Sequence, residues 1–165
     1  MVELIYSMEC VGEVMSSACC GFGHRNLFCN IEAELQKILE TLIVEKGVDI
    51  FYTGAMGEFD TMFGNSVRFL KKKYTNISII LVKPYFSNEL NINKTYYTDY
   101  YDDIIIFEDS EKFHPKSAIN YRNRWLVDKS AYIIGCIYHK CGGAYTALRY
   151  AEKQNKKIIM LNLKV

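Results

Sequence analysis

The 165-residue sequence is short of proline (two residues) and of tryptophan (one), has no Cys-x-x-Cys pair, and carries no excess of either charge. With so little proline there is no Pro-rich linker, and no low-complexity tract or internal repeat appears, so the chain reads as one domain. Twenty Lys and Arg against 19 Asp and Glu leave a formal net charge of +1, interspersed along the chain. That is not the basic field with which proteins neutralise a phosphate backbone, so nucleic acid is not expected as a partner. The one dense basic cluster, Lys71-Lys72-Lys73, falls near an expected helix end, where the helix dipole favours positive charge. No apolar run approaches the roughly 18–20 residues that span a bilayer, so no membrane partner is expected. Glu3, Glu9 and Glu13 precede any Lys or Arg, so the basic first region of a secretory signal is missing and a cytoplasmic protein is expected. Six cysteines outside a secretory context read as reduced, buried thiols. Cys136, His139 and Cys141 lack a fourth ligand at zinc spacing, so neither a metal nor a cofactor is called for.

What is present is a large apolar fraction, 50%, with 13 Tyr and 9 Phe, enough for a sizeable core. Strand-like runs alternate with helix-like segments. Ser17–Gly21 is short, small and apolar; its adjacent Cys19 and Cys20 point to opposite faces. A helix is predicted from Asn30, as N-cap, to Gly47, with Leu35, Ile38, Leu39 and Leu42 on one side. Val48–Tyr52 is the second strand, followed by a helix over Asp60–Tyr74. Ser78–Lys83, apolar on both faces, is an interior parallel strand. A polar connection rich in Tyr and Asn, from Pro84 to Asp102, holds a short helix near Asn91–Tyr101. Strands at Asp103–Phe107, Tyr132–Ile137 and Lys157–Leu161 bracket helices that begin at Pro115 and at Gly142. This alternation predicts an α/β fold: a single Rossmann-like domain with a mostly parallel sheet of about six strands and helices on both faces. Residues 1–16 read as an N-terminal extension, with Leu4, Met8, Val11 and Met15 spaced like a helical stripe, and 17–165 as the domain.

In open parallel sheets ligands bind beyond the carboxyl ends of the strands. Three glycine-bearing loops follow strands here: Gly21-Phe22-Gly23-His24-Arg25, Gly54-Ala55-Met56-Gly57-Glu58-Phe59-Asp60, and Cys141-Gly142-Gly143-Ala144-Tyr145-Thr146. Such loops let backbone amides approach an anion at a helix start. Thr146 can add a hydroxyl and Arg25 a bidentate phosphate contact. His24 is either a proton-transfer group or a loop-orienting one. Asp60 either serves the ligand or caps the helix that follows. On the helix after Pro115, Arg124 and Asp128 stand four apart and share a face, the spacing of a surface salt bridge. Trp125 is expected to be core packing rather than a stacking platform.

Cys-Gly-Phe-Gly-His-Arg (20–25), Phe-Tyr-Thr-Gly-Ala-Met-Gly-Glu-Phe-Asp (51–60), Lys-Pro-Tyr (83–85), Arg-Asn-Arg-Trp-Leu-Val-Asp (122–128) and Gly-Gly-Ala-Tyr-Thr (142–146), in this order, resemble the SLOG superfamily. That Rossmann-like group includes the Smf/DprA DNA-processing proteins and the LOG-type proteins; the YpsA-like branch, with its Gly-His-Arg loop and Arg-Asn-Arg-Trp helix, is the nearest. The resemblance spans about Ser17 to Leu163. It implies a pocket for a nucleotide or nucleotide-derived ligand, often within a homo-oligomer. By motif match, Gly23, His24, Arg25, Gly54, Gly57, Asp60, Arg122, Arg124, Asp128, Gly142, Gly143 and Thr146 line or shape it.

One departure bears on chemistry. LOG phosphoribohydrolases carry Pro-Gly-Gly-x-Gly-Thr-x-x-Glu, and the stretch here is Cys-Gly-Gly-Ala-Tyr-Thr-Ala-Leu-Arg (141–149). Tyr145 replaces a loop glycine and Arg149 replaces the catalytic Glu, and a guanidinium cannot do a carboxylate's work at a cationic centre. The leading expectation is therefore a binding module for that ligand, with a sensor among the roles it would allow. An N-glycosidic enzyme using Glu58 or Asp60 is the alternative, and Smf-like single-strand binding is the second.

Overall fold

The computed structural model describes residues 17–107 and 114–161. The expected helix within residues 1–15 lies outside the described residues. Six strands form one fully parallel sheet: β1 (Ser17–Gly23), β2 (Val48–Thr53), β3 (Ser78–Lys83), β4 (Asp103–Ile106), β5 (Tyr132–Cys136) and β6 (Lys157–Met160), in the order β4-β3-β2-β1-β5-β6. The chain winds outward from β1 to β4, then returns to the other side of β1 for β5 and β6. The direction reverses between β1 and β5, and at such a switch point the loops leaving the two strands part and open a crevice.

Helices α1 (Glu32–Lys46) and α2 (Glu58–Lys71) cover one face, where Leu35, Leu39, Phe51, Phe59, Phe63 and Val67 are buried together. On the other face, α5 (Pro115–Lys129) and α6 (Gly142–Lys153) close over Val82, Leu126, Val127, Ile133 and Leu148. Each such aliphatic or aromatic side chain contributes about 1.5–3 kcal/mol on leaving water. Cys19 belongs to the first cluster and Cys20 to the second, as the two-residue strand period requires. Trp125 packs at the edge of the second, edge-on to Tyr52 and Phe107. The connection after Pro84 forms two short helices, α3 (Asn88–Ile92) and α4 (Lys94–Tyr100), which bring Leu90 and Tyr97 into the first cluster.

Local signals explain the helix ends. Gly47 takes the left-handed conformation (φ 65°) and its N–H bonds the Leu42 carbonyl, closing α1. Asn30 accepts the Glu32 N–H at 2.9 Å, so it serves the start of α1 from one residue further out than a regular cap. Pro115 occupies the first turn of α5, behind His114. The cysteines divide by position: Cys19, Cys20 and Cys136 are buried in strands, but Cys29 and Cys141 are exposed, because both sit in connections at the open edge of the sheet.

Candidate functional site

At the carboxyl ends of β1, β2 and β5 lies a cleft of about 650 Å³. Its floor and walls come from the loop after β1, Met56 and Asp60 after β2, Tyr138 after β5, one face of α5 and the first turn of α6. It brings together eight of the residues singled out from sequence: Gly23, His24, Arg25, Asp60, Arg122, Gly142, Gly143 and Thr146. A shelf of about 180 Å³ shares Asn120, Asn123, Gly143 and Thr146 with the cleft and adds Arg124, Arg149 and Lys153. Gly54, Gly57 and Asp128 line neither space.

The start of α6 is the part most clearly open. Gly142 has φ 87°, a value that favours glycine, and a side chain built there would meet nothing within 4 Å. The preceding cap, Cys141, makes no side-chain hydrogen bond to the helix, so the first amides depend on something outside the chain. Those amides and the helix dipole make an anion-binding end. Thr146 already donates its hydroxyl hydrogen to the Gly142 carbonyl at 3.0 Å, which leaves its oxygen free to accept but not to donate. Above this turn sits Asn123, only 8% exposed, its amide nitrogen nearest the missing side chain of Gly143 at 3.8 Å. Among the described residues no hydrogen bond engages the Asn123 side chain. Asn123 lines both the cleft and the shelf, so its side-chain amide is open to a hydrogen-bonding occupant there.

Arg122 is 3% exposed and lies beneath the cleft. Its Nη1 donates to the Val82 carbonyl at 3.0 Å and Nη2 reaches the Met56 sulfur at 3.0 Å, while Nε has no partner. Burial pulls its pKa below the usual arginine value, against the opposing pull of Asp60. Asp60 is itself pushed up by burial, in spite of a 2.8 Å hydrogen bond from the Met56 N–H and the nearby Arg122 and Lys83 cations. Asp60 thus folds the loop after β2 back onto its helix and faces the cleft at once. Glu58 stands in a neighbouring surface hollow with Arg25 and Gly57, where its carboxylate accepts the Leu27 N–H at 2.6 Å. Its own N–H donates to the Arg25 carbonyl at 2.8 Å, so the loops after β1 and β2 are stitched together beneath the Arg25 side chain.

His24 turns its Nε2 toward the His139 N–H, 3.1 Å away, and accepts from it, which places the ring proton on Nδ1. Burial, and then the nearby His139, lower its pKa, which favours the neutral ring. Several glycines do a different job from the one their loops suggested. A side chain at Gly23 would sit 2.2 Å from Cγ of Phe59, one at Gly21 2.7 Å from Cε1 of the same ring, and one at Gly54 2.0 Å from Nη1 of Arg122. These three leave room for neighbouring side chains, and Gly23 lines the cleft as well. Arg124 and Asp128, expected on one face of α5, both turn to Tyr150 of α6. The guanidinium lies 5.3 Å from the ring centre and the carboxylate accepts the tyrosine hydroxyl at 3.0 Å. Arg149 pairs with Glu152 on the exposed side of α6.

The residues to which sequence reasoning gave no role are Lys116, Asn120 and Asn123, and Tyr138. The first three recur at helical spacing along the α5 face that looks toward α6, and Tyr138 lies two residues past β5. A helical projection of α5 and the strand-end rule, applied to β5 as to β1, are the signals that find them.

No protein-family model matches the chain, and no curated protein matches it by sequence. Solved structures do match. DNA processing protein A from Helicobacter pylori, described for its single-stranded DNA binding mode, superposes with a TM-score of 0.64 at 18% identity over 90% of this chain. The protein of the same name from Streptococcus pneumoniae gives 0.66 at 14% identity over 91%. The chain spans 66% and 52% of the length of those two. The molybdenum cofactor carrier protein of Chlamydomonas reinhardtii gives 0.52 at 14% identity, over 88% of this chain and 75% of that one. The fold is therefore shared with DNA processing protein A, in keeping with the resemblance to the SLOG superfamily. The exclusion of nucleic acid drawn from net charge does not stand, since a protein of this fold binds single-stranded DNA. Net charge is a sum over the whole surface and is blind to cations gathered on one edge, where Arg25, Lys116, Arg124 and Lys153 line adjoining spaces. Among the described residues no helix is long and apolar enough to cross a membrane.

Proposed function

We propose that the protein binds a nucleotide-type ligand in the cleft between β1 and β5, with its phosphate at the start of α6. The observation that carries this reading is the Asn123 side-chain amide, which no hydrogen bond among the described residues engages, beside the open Gly142-Gly143 turn. An amide nitrogen there donates to the same oxygen that the helix amides face, and Arg25 and Lys116 supply charge from the rim. Asn123→Ala separates binding from folding, because the amide has no protein partner to lose. Affinity for nucleoside monophosphates, measured by titration calorimetry, is expected to fall roughly 2- to 12-fold, the value of one ordinary hydrogen bond. The thermal midpoint is expected to stay nearly unchanged. Unaltered affinity in a well-folded variant refutes this placement.

A second reading, a single strand of nucleic acid in place of a free nucleotide, is favoured by the shelf that continues the cleft along α5 and α6. Arg124, Arg149 and Lys153 lie there, and the Helicobacter pylori neighbour binds single-stranded DNA. On that reading an oligothymidylate binds with an affinity that falls steeply with salt. A gel-shift series with no complex at low salt counts against it.

A further inference from the structure

We infer that the lip of this cleft is a nucleobase-stacking platform built from Tyr138 and Phe28, an assignment that rests on the nucleotide reading above. The lip carries rings in contact. His24 lies 4.2 Å from Tyr138, Tyr138 lies 4.4 Å from His139, and Phe28 lies 4.7 Å from Tyr138, centre to centre. Tyr138 lines the cleft, and Phe28, beyond it, is 81% exposed, more than any other large hydrophobic side chain described. The Phe28 ring stands in water beside the cleft, in contact with Tyr138, where the flat face of an occupant's base can cover it.

The Tyr138 and His24 rings of the platform are anchored. The Tyr138 hydroxyl donates to the Asn26 carbonyl, which ties the loop after β5 to the loop after β1. The imidazole of His24 is fixed by the His139 N–H at 3.1 Å. Both tethers lie at the ring edges, and the ring of the group most open to solvent is that of Phe28, packed on the anchored Tyr138. A fixed aromatic face loses little conformational freedom when a flat ring settles on it, and every nucleobase has such a face. The arrangement also divides the cleft into two chemically distinct ends. Hydrogen-bond donors for phosphate gather at Asn123 and the α6 start, and rings gather at the β1 and β5 loops. A nucleotide has the same polarity, anion at one end and aromatic ring at the other.

The test is titration calorimetry of the full chain with the four ribonucleoside 5′-monophosphates and with ribose 5-phosphate, which keeps the anion and lacks the base. At least one monophosphate is expected to bind roughly 5- to 150-fold more tightly than ribose 5-phosphate, the range that base stacking on an aromatic side chain confers. Phe28→Ala and Tyr138→Leu are expected to remove most of that difference, and Phe28→Ala, which lies outside the cleft lining, to leave ribose 5-phosphate binding unchanged. Phe28 is exposed, so its variant folds even if Tyr138→Leu does not. Equal affinity for ribose 5-phosphate and all four monophosphates overturns the platform and leaves the phosphate site standing. So does a Phe28→Ala protein that keeps the full difference. No binding of any of the five overturns the nucleotide reading and the platform with it.

Discussion

Replacing Gly54 with alanine tests whether this glycine exists for the buried arginine beneath the cleft. Gly54 has an ordinary backbone conformation, so alanine brings no backbone strain, and any effect arises from the added carbon alone. That carbon falls 2.0 Å from Nη1 of Arg122 and 2.7 Å from Cζ, so the guanidinium must move. Moving it breaks the 3.0 Å bond from Nη1 to the Val82 carbonyl, in a side chain whose Nε is already unpaired. A hydrogen bond from a charged group is worth about 1.5–3 kcal/mol, and the glycine-to-alanine change returns about 0.4–1 kcal/mol by restricting the unfolded chain. The net loss is about 0.5–2.5 kcal/mol, or roughly 1–10 °C in Tm for a chain of this size. Urea unfolding followed by circular dichroism measures it, and a double-mutant cycle assigns its cause. Arg122→Met shortens the side chain so that nothing stands over residue 54. In that background alanine at 54 is expected to cost nothing or to stabilise slightly, giving a coupling of about 1–3 kcal/mol between the two sites. An equal cost for Gly54→Ala in both backgrounds refutes the argument, because the penalty then has no connection with Arg122.

Gly23→Ala drives a methyl group to 2.2 Å from Cγ of Phe59, itself 1% exposed, and is expected to cost about 1–3 kcal/mol by overpacking, with partial recovery on Phe59→Leu. Thermal melts of the single and double variants check it, and full stability of the single variant contradicts the close approach of α2 to β1. For His24 the folded pKa lies below the unfolded value of 6.5, so its contribution to stability is full above that pH and is lost as pH falls through the folded value. The stability difference between wild type and His24→Gln, read from urea midpoints between pH 7.5 and 5, is expected to shrink on acidification. A difference independent of pH shows that burial and the neighbouring His139 do not hold the ring's pKa down.

Much of the fold was legible because it rests on short-range regularities. Ser78–Lys83 forms a strand with the limits its continuous apolar run suggested, and Gly47 ends α1 as a left-handed glycine. Boundaries moved where a loop decided them. The helix expected from Asp60 begins at Glu58, because the Asp60 carboxylate reaches back to the Met56 amide and gathers the loop into the first turn. The connection after Pro84 forms two helices where one was expected, since Leu90 and Tyr97 each find a place against the first face of the sheet.

From sequence alone came the alternation of strands and helices, and with it the rule that the special residues collect at one edge of a parallel sheet. That much follows from chain periodicity and from the handedness of the connections. Tertiary structure decided which glycine serves which purpose. Gly23 and Gly54 make room for Phe59 and Arg122, while Gly142 opens onto empty space, and nothing local to the three glycines distinguishes them. It also turned Arg122 inward beneath the cleft, left the Asn123 amide without a partner, and set Phe28 beside Tyr138, 110 residues further along the chain. Clearance around a missing side chain and the partner of a buried amide depend on how closely two elements approach. Packing of the whole sheet sets that distance, and no window of sequence contains it.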